Sequence, residues 1–514
     1  MFTTLNELPE RSSGADLLIV GSGPAGLALA LAARERGAKV MLLESGGPRA
    51  ATDELNRVGS TALPFPGAFT GRARGFGGTG EKWAGQCLPL DDIDLAERTW
   101  VPGSGWPLAP ADLEPWIRAA ADLYEVADAT FSPEDVQAAA LPLPGFDPEL
   151  LPWRVPNYSP GHRLGSRVRS RCAEDAGLTV VLDATVVSLV TRSGRVEGVI
   201  ARSRRGGHER IVLGTTTTLA CGGLENARLL LDAGDVVGEG SRLVGQGLQD
   251  HPYWLVGEVV GAPPELGQVF QSMSVAGRRV RPKVTLAAAE QEARRTLNCI
   301  ADLELDHGPR SSVGALKRGY DAAKDSRNVL ALLREAPAML RDPASVLREL
   351  AFRRKGVGGP PDRHTKLLLR VQTEQPPLGP SAVALSDRTD ALGRRMLDVR
   401  WEVGEAERHT CIEMADVVGQ QLESLGLGRL EVFSWLEDPA EFRSRAVDFY
   451  HHAGTTRMSL DPGSGVVDPD CRVHGVEGLY VVGGSVFPAS GYAHPTLTIV
   501  ALALRLADRL ATKV

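Results

Sequence analysis

Residues 16–44 constrain this chain more tightly than any other stretch. Asp16-Leu-Leu-Ile-Val20 is an apolar run suited to a buried parallel strand. Gly21-Ser-Gly-Pro-Ala-Gly26 follows in G-x-G-x-x-G spacing, and an Ala/Leu-rich helix then runs to about Arg36. Gly37 stops that helix, and Lys39-Val-Met-Leu-Leu43 makes a second strand that ends at Glu44. A βαβ unit with glycines and an acid in these places is the dinucleotide fingerprint. Gly21 permits the tight turn, Gly23 lets the backbone approach a pyrophosphate, and Gly26 allows close helix–strand packing. The helix N-terminus offers unpaired N–H groups to the phosphates, and Glu44 is suited to ribose hydroxyls. The fingerprint does not separate NAD from FAD.

A second glycine cluster, Gly75-Phe-Gly-Gly-Thr-Gly-Glu-Lys-Trp83, reads either as a flexible turn or as a loop that approaches a flat ligand closely. Residues 107–128 are patterned as helix. From Leu178 to Cys221 the chain is β-rich, and ACGGLENARLLL closes it with another strand–Gly-Gly–helix junction. Residues 309–358 form a basic, helix-patterned insertion punctuated by Pro337 and Pro343. Leu316–Lys355 holds ten Lys/Arg against five Asp/Glu, which reads as the solvated face of a packed insertion rather than a membrane-surface helix.

Bulk properties exclude several classes. The 514 residues carry 57 Lys+Arg against 64 Asp+Glu, a net charge of −7 that argues against nucleic acid as partner. No apolar run reaches the length of a membrane span, and the N-terminus lacks a secretory pattern. The six cysteines are scattered without metal-ligand spacing, as expected of reduced thiols in a cytoplasmic protein.

Of ten histidines, three fall near the end: His451 and His452 in FYHHAGTTRM, and His494 in SGYAHPTLTIVALALRL. Adjacent histidines splay apart, and no acid or cysteine completes a metal set at familiar spacing, so no metal is expected. Histidines beside glycine-rich loops in a dinucleotide-binding chain point to proton transfer instead.

The ordered series GSGPAGLALA with Glu44, RGFGGTGEKW, ACGGLENARLLL, VGQGLQDHP, HHAGTTRM and the block SGVVDPDCRVHGVEGLYVVGGSVFPASGYAHPTLTIVALA resembles the glucose–methanol–choline (GMC) oxidoreductases. The GGTGEKW loop and the Thr-Leu-Thr-Ile helix start are similar to the bacterial branch of pyranose and glycoside oxidases. The resemblance implies FAD and oxidation of an alcohol to a carbonyl, with hydride passed to the flavin. His451 then stands at the position of the catalytic base, and His494 at the second position, which orients the substrate hydroxyl. His452 is expected to point away. Gly77, Gly78, Thr79 and Trp83 would line the flavin, as would Gly483 and Gly484, while Pro495 and Thr496 would open a helix facing it.

The implied fold is α/β. A discontinuous Rossmann-like FAD-binding domain would use 14–105, 160–250 and 445–514. An α+β substrate domain on an antiparallel or mixed sheet would use 106–159 and 251–444. The expected substrate is a sugar, glycoside or related polyol, with oxygen or another small molecule as electron acceptor. An amino-sugar, cyclitol or other natural-product alcohol is the alternative. A non-catalytic flavin protein and a nicotinamide dehydrogenase are lesser ones. Two departures from the family pattern stand out. Lys82 occupies the position where some relatives carry the histidine that bonds FAD covalently, so non-covalent FAD is expected. Ala382 replaces an arginine that often follows Pro-x-Ser.

Overall fold

The computed structural model describes residues 1–511 apart from 127–135, 137–141, 235, 237–241, 276, 327–329, 355–357, 360 and 363. The first sheet is organised around Arg11–Val20, whose final residues are almost wholly buried. Its strands lie in the order Phe2–Thr4, Leu178–Leu182, Val40–Leu43, Arg11–Val20, Glu209–Leu219, Arg195–Arg202 and Thr185–Arg192. The first five are mutually parallel and the last two antiparallel. Leu479–Val481 joins the C-terminal half of Glu209–Leu219 in parallel, so the start, middle and end of the chain share one sheet. Helix Pro24–Glu35, rich in small alanines, packs closely against the final helix Thr496–Ala511.

The second sheet is antiparallel, in the order Arg429–Val432, Tyr253–Val260, Thr365–Thr373, Cys299–His307, Lys283–Thr285 and Trp153–Arg154. Helix Glu405–Ser424 covers it. Because strand side chains alternate between faces, the register Tyr253↔Gln372 and Asp302↔Arg370 collects polar groups on one face. That face turns toward the site: Gln372 donates to the Tyr492 carbonyl at 3.0 Å.

Two small sheets tie the large ones together. Gln86–Cys87 pairs with Asn157–Tyr158, which in turn pairs with Arg278–Val280, and Val58–Ser60 pairs in parallel with Arg395–Arg400. Arg98 and Glu374, both fully buried, form an ion pair between the same regions.

Three expected elements differ at their ends. The first strand begins at Arg11, not Asp16, because its polar first half continues pairing with Glu209–Leu219 past a register shift. The helix expected over 107–128 spans Pro110–Leu123, and 127 and 128 lie outside the described residues. The insertion forms helices Ser312–Ser326, Leu330–Met339 and Pro343–Arg354, with Pro343 opening a helix rather than breaking one. No helix among the described residues is long and apolar enough to cross a membrane.

Candidate active site

The glycines of the first turn each answer a different steric demand. Gly21 sits at φ +101°, and a Cβ there would lie 2.5 Å from the Ala220 carbonyl oxygen. A Cβ on Gly26 would collide with the carbonyl oxygen of Gly21, so this glycine sets how closely the helix meets its strand. Gly23, the N-cap of Pro24–Glu35, has no protein atom within 4 Å of its Cβ position. It faces open space beside the helix N-terminus, where an anion is favoured.

Glu44 is buried and ties two loops together. Its carboxylate accepts from the Ser22 amide and hydroxyl (3.1 and 2.6 Å) and from the amides of Gly46 and Gly75 (both 2.8 Å). The second glycine cluster therefore lies directly on the first. A Cβ on Gly78 would come within 3.0 Å of the Gly23 Cα, and one on Gly80 within 2.8 Å of the Pro24 ring. Trp83 is fixed at the end of this loop by donating Nε1–H to the His162 carbonyl at 2.6 Å.

A cavity of about 730 Å³ runs from this double loop to the histidines. Gly21, Gly23, Glu44, Gly78, Thr79, Trp83, His451, Gly483, Gly484, His494, Pro495 and Thr496 all line it. Gly26 and Gly77 do not. Gly26 is consumed by helix packing, and Gly77 turns the loop at φ +94° against the Glu81 side chain. Pro495 stands one position earlier than expected: its carbonyl accepts from the Ile499 amide at 2.8 Å, so it caps the helix that Thr496 begins.

At the far end, His451 Nδ1 lies 2.9 Å from Nδ1 of His251. The rings of His451 and His494 stand edge to face with centroids 4.9 Å apart, and Phe449 packs against both. One buried carboxylate assembles the group. Asp250 accepts from the amides of His251 (2.7 Å), His451 (2.8 Å) and Phe449 (2.9 Å). Tyr450, between them, is held at φ +67°, a region costly for a residue with a side chain.

Burial holds all three histidines neutral. It pushes His251 down to about 3, and lowers His451 well below the ordinary histidine value with help from His251 and His494. His494 is lowered likewise, by burial and then by the cation of Lys283. His452 packs edge-on against Phe65 at 5.1 Å and also borders the cavity, and its carbonyl oxygen abuts Gly223.

Two contributors escape sequence reasoning. His251 sits in the QDHP segment but carries no periodic or spacing signal that would pair it with His451. Lys283 is buried on the second sheet beside Asp302 (3.7 Å), and burial pushes it down to about 7. Among the described residues no group of His, Cys, Asp or Glu side chains could hold a metal ion.

The cavity suits FAD. Gly23 leaves room for a diphosphate at a helix N-terminus, and the guanidiniums of Arg72, Arg74 and Arg394 stand in the wall. Burial would raise the nearby Glu225, but Arg74, Arg228 and Arg72 hold it below the usual carboxylate range. Glu44, Ser45 and Thr185 close the end away from the histidines.

Comparison with known proteins agrees with this geometry. Residues 377–503 match the GMC oxidoreductase family and residues 16–65 match an FAD binding domain. The chain is 24% identical to paromamine 6'-oxidase of Streptomyces fradiae over 96% of its own length and 91% of that protein. A C-glycoside 3-oxidase of Microbacterium trichothecenolyticum is 33% identical over 26% of this chain and 24% of that one. Among solved structures, a fungal aryl-alcohol oxidase superposes with a TM-score of 0.57 at 17% identity, covering 98% of this chain and 100% of the other.

Proposed function

The chain belongs to the GMC oxidoreductase family, and from that membership we propose an FAD-dependent enzyme that oxidises a CH–OH group of a sugar, glycoside or related polyol to a carbonyl. The observation that carries the reading is the neutral His451–His494–His251 group at the end of a dinucleotide cavity.

FAD, when bound, supplies the two-electron acceptor for the hydride leaving the alcohol carbon. The residues of the chain do the rest. An Nδ1-to-Nδ1 contact requires one ring to donate and the other to accept. With His451 donating to His251, the His451 Nε2 lone pair is free to take the alcohol proton. His494 orients the hydroxyl, and the buried setting keeps both rings unprotonated before substrate arrives. The N-terminus of Thr496–Ala511, capped by Pro495, presents partial positive charge to the cavity.

The same reading takes FAD as non-covalent, because Lys82 donates to Thr52 Oγ1 at 2.6 Å and is not a histidine. It takes 14–105, 160–250 and 445–514 as the FAD-binding unit, with 106–159 and 251–444 as the substrate unit. The composition of the two large sheets supports that division. A cytoplasmic setting accords with six free cysteines, and oxygen or another small molecule accepts the electrons. An amino-sugar or other natural-product alcohol is a second reading, favoured by the length of the match to paromamine 6'-oxidase.

The test is anaerobic mixing of the purified flavoprotein with neutral, acidic and amino sugars and glycosides, followed by readmission of air. Bleaching of the flavin by at least one member supports the reading. A flavin that no member reduces contradicts it.

A further inference from the structure

A second cavity, of about 640 Å³, lies beside the site on the antiparallel sheet. It opens where the strand Cys299–His307 outruns its neighbour: pairing with Lys283–Thr285 ends at Val284↔Ala301, which leaves Leu303–Leu305 at the cavity wall. Its lining is unbalanced in charge. Arg279, Arg281, Lys317, Arg353 and Arg370 face it, against Glu304 and Glu349. Behind the wall the buried Asp302 pairs with Arg370, Arg281 and Lys283, and with Lys283 itself pushed down to about 7 the lining still carries a net positive charge.

Arg370 lies between this cavity and the catalytic one. Its guanidinium pairs with Asp302 at 2.6 Å and Glu304 at 3.1 Å. It also lies 5.7 Å from the ring centroid of Tyr253, which borders the histidine cavity. The influence of Arg370 and Arg281 extends to His494, which both help keep unprotonated.

We propose that the substrate carries an anionic oxygen group, a carboxylate or a phosphate ester, which this second cavity holds while the alcohol reaches His451 and His494. The proposal rests on the oxidoreductase reading above and names its substrate class. A cavity lined by one sign of charge concentrates ligands of the other sign, and guanidiniums pair with carboxylate and phosphate oxygens in forked geometry. A substrate bearing several ammonium groups would meet its own sign of charge here. The lining thus separates this chain from an oxidase of polyamino sugars, despite the likeness across its length.

The experiment uses the FAD-loaded enzyme and methyl β-glucoside, methyl β-glucuronide, methyl β-glucoside 6-phosphate and methyl β-glucosaminide, which share one ring and differ in charge. Flavin reduction is read anaerobically at low and high salt, and glycoside binding is read separately by calorimetry. The expected result is a kcat/KM for the glucuronide or the phosphate about tenfold or more above that of the neutral glucoside, falling with salt. Preference between the two acids distinguishes a carboxylate from a phosphate ester. Arg279→Glu, at a side chain that bonds Ser272 and lies over Tyr158, should remove most of that advantage, lowering kcat/KM for the acids much more than for the neutral glucoside.

Equal or better use of the neutral or amino glycoside overturns the proposal, as does salt-independent binding of the acids. Salt-sensitive binding of the acids, lost in Arg279→Glu but without flavin reduction by any compound, supports the anion cavity and contradicts the oxidoreductase reading.

Discussion

Nδ1 of His451 and Nδ1 of His251 lie 2.9 Å apart although the residues are 200 positions apart in the chain. One ring must carry hydrogen on that nitrogen and the other must not, so the tautomer of each is set by its partner. His251 is therefore a positioning residue for the base. His251→Phe should retain FAD and slow flavin reduction by roughly tenfold to a hundredfold. His251→Asn, whose amide can still bond Nδ1, should recover part of the loss. The pH profile distinguishes this role from a structural one: the apparent base pKa should move in His251→Phe and return toward the original in His251→Asn.

Asp250 accepts three backbone amides and thereby sets the path of Phe449–His451. Asp250→Ala should cost about 3 kcal/mol or more, since it leaves buried donors unpaired. Denaturant unfolding measures the loss. Turnover should fall further than the unfolded fraction accounts for, because His451 loses its placement as well.

Acid should destabilise the protein earlier than its carboxylates alone would cause. His251 and His452 are pushed down to about 3 by burial, and His451 and His494 are lowered in the same direction. Below about 6.5 the unfolded chain takes up protons that the folded chain refuses. Stability is thus complete above that pH and is lost as the pH falls toward 3. Burial raises Asp250 to about 6 and also raises Asp94, Glu407 and Asp448, which work the other way, while His307, lowered to about 4, joins the four histidines. Unfolding midpoints should decline steadily from pH 6.5 to 4. Over the same range kcat/KM should show no inflection at the ordinary histidine value, because the base is already neutral.

Gly23 and Gly26 separate cofactor binding from folding. Gly26→Ala forces a Cβ onto the Gly21 carbonyl and should lower stability by about 1–3 kcal/mol. Gly23→Ala meets no protein atom, so the apoprotein should unfold at the original temperature. Its Cβ enters the space beside the helix N-terminus, and FAD affinity should fall at least about tenfold. Thermal unfolding with and without added FAD distinguishes the two variants.

Non-covalent FAD is expected from Lys82. Acid precipitation should release the yellow cofactor into the supernatant, and colour retained in the pellet would contradict it.

The parts legible in the sequence are those imposed by local sterics. Gly21, Gly23 and Gly26 announce a turn and a helix contact within six residues, and Glu44 closes the same unit. Even there, the structure adds that Glu44 joins the two glycine loops by three hydrogen bonds, two from Ser22 and one from Gly75, and accepts a fourth from Gly46. Gly77 illustrates the limit: its spacing resembles that of its neighbours, but it turns the loop at φ +94° against the Glu81 side chain and does not itself line the cavity. The partnership of His251 with His451, and of Lys283 with Asp302, depends on segments brought together by tertiary packing. No pattern along one strand encodes it. The helix predicted to 128 ends at Leu123, where the Tyr124 and Val126 amides bond back to Ala120 and Ala121 and close the last turn.

The most direct measurement is single-turnover flavin reduction, under anaerobic conditions, in the unaltered enzyme and in His451→Ala, with whichever sugar or glycoside bleaches the former. The variant should keep its flavin spectrum and be reduced at least about a hundredfold more slowly, with His494→Ala impaired to a lesser degree. Near-normal reduction in a correctly folded, FAD-loaded His451→Ala protein would contradict the base role of His451.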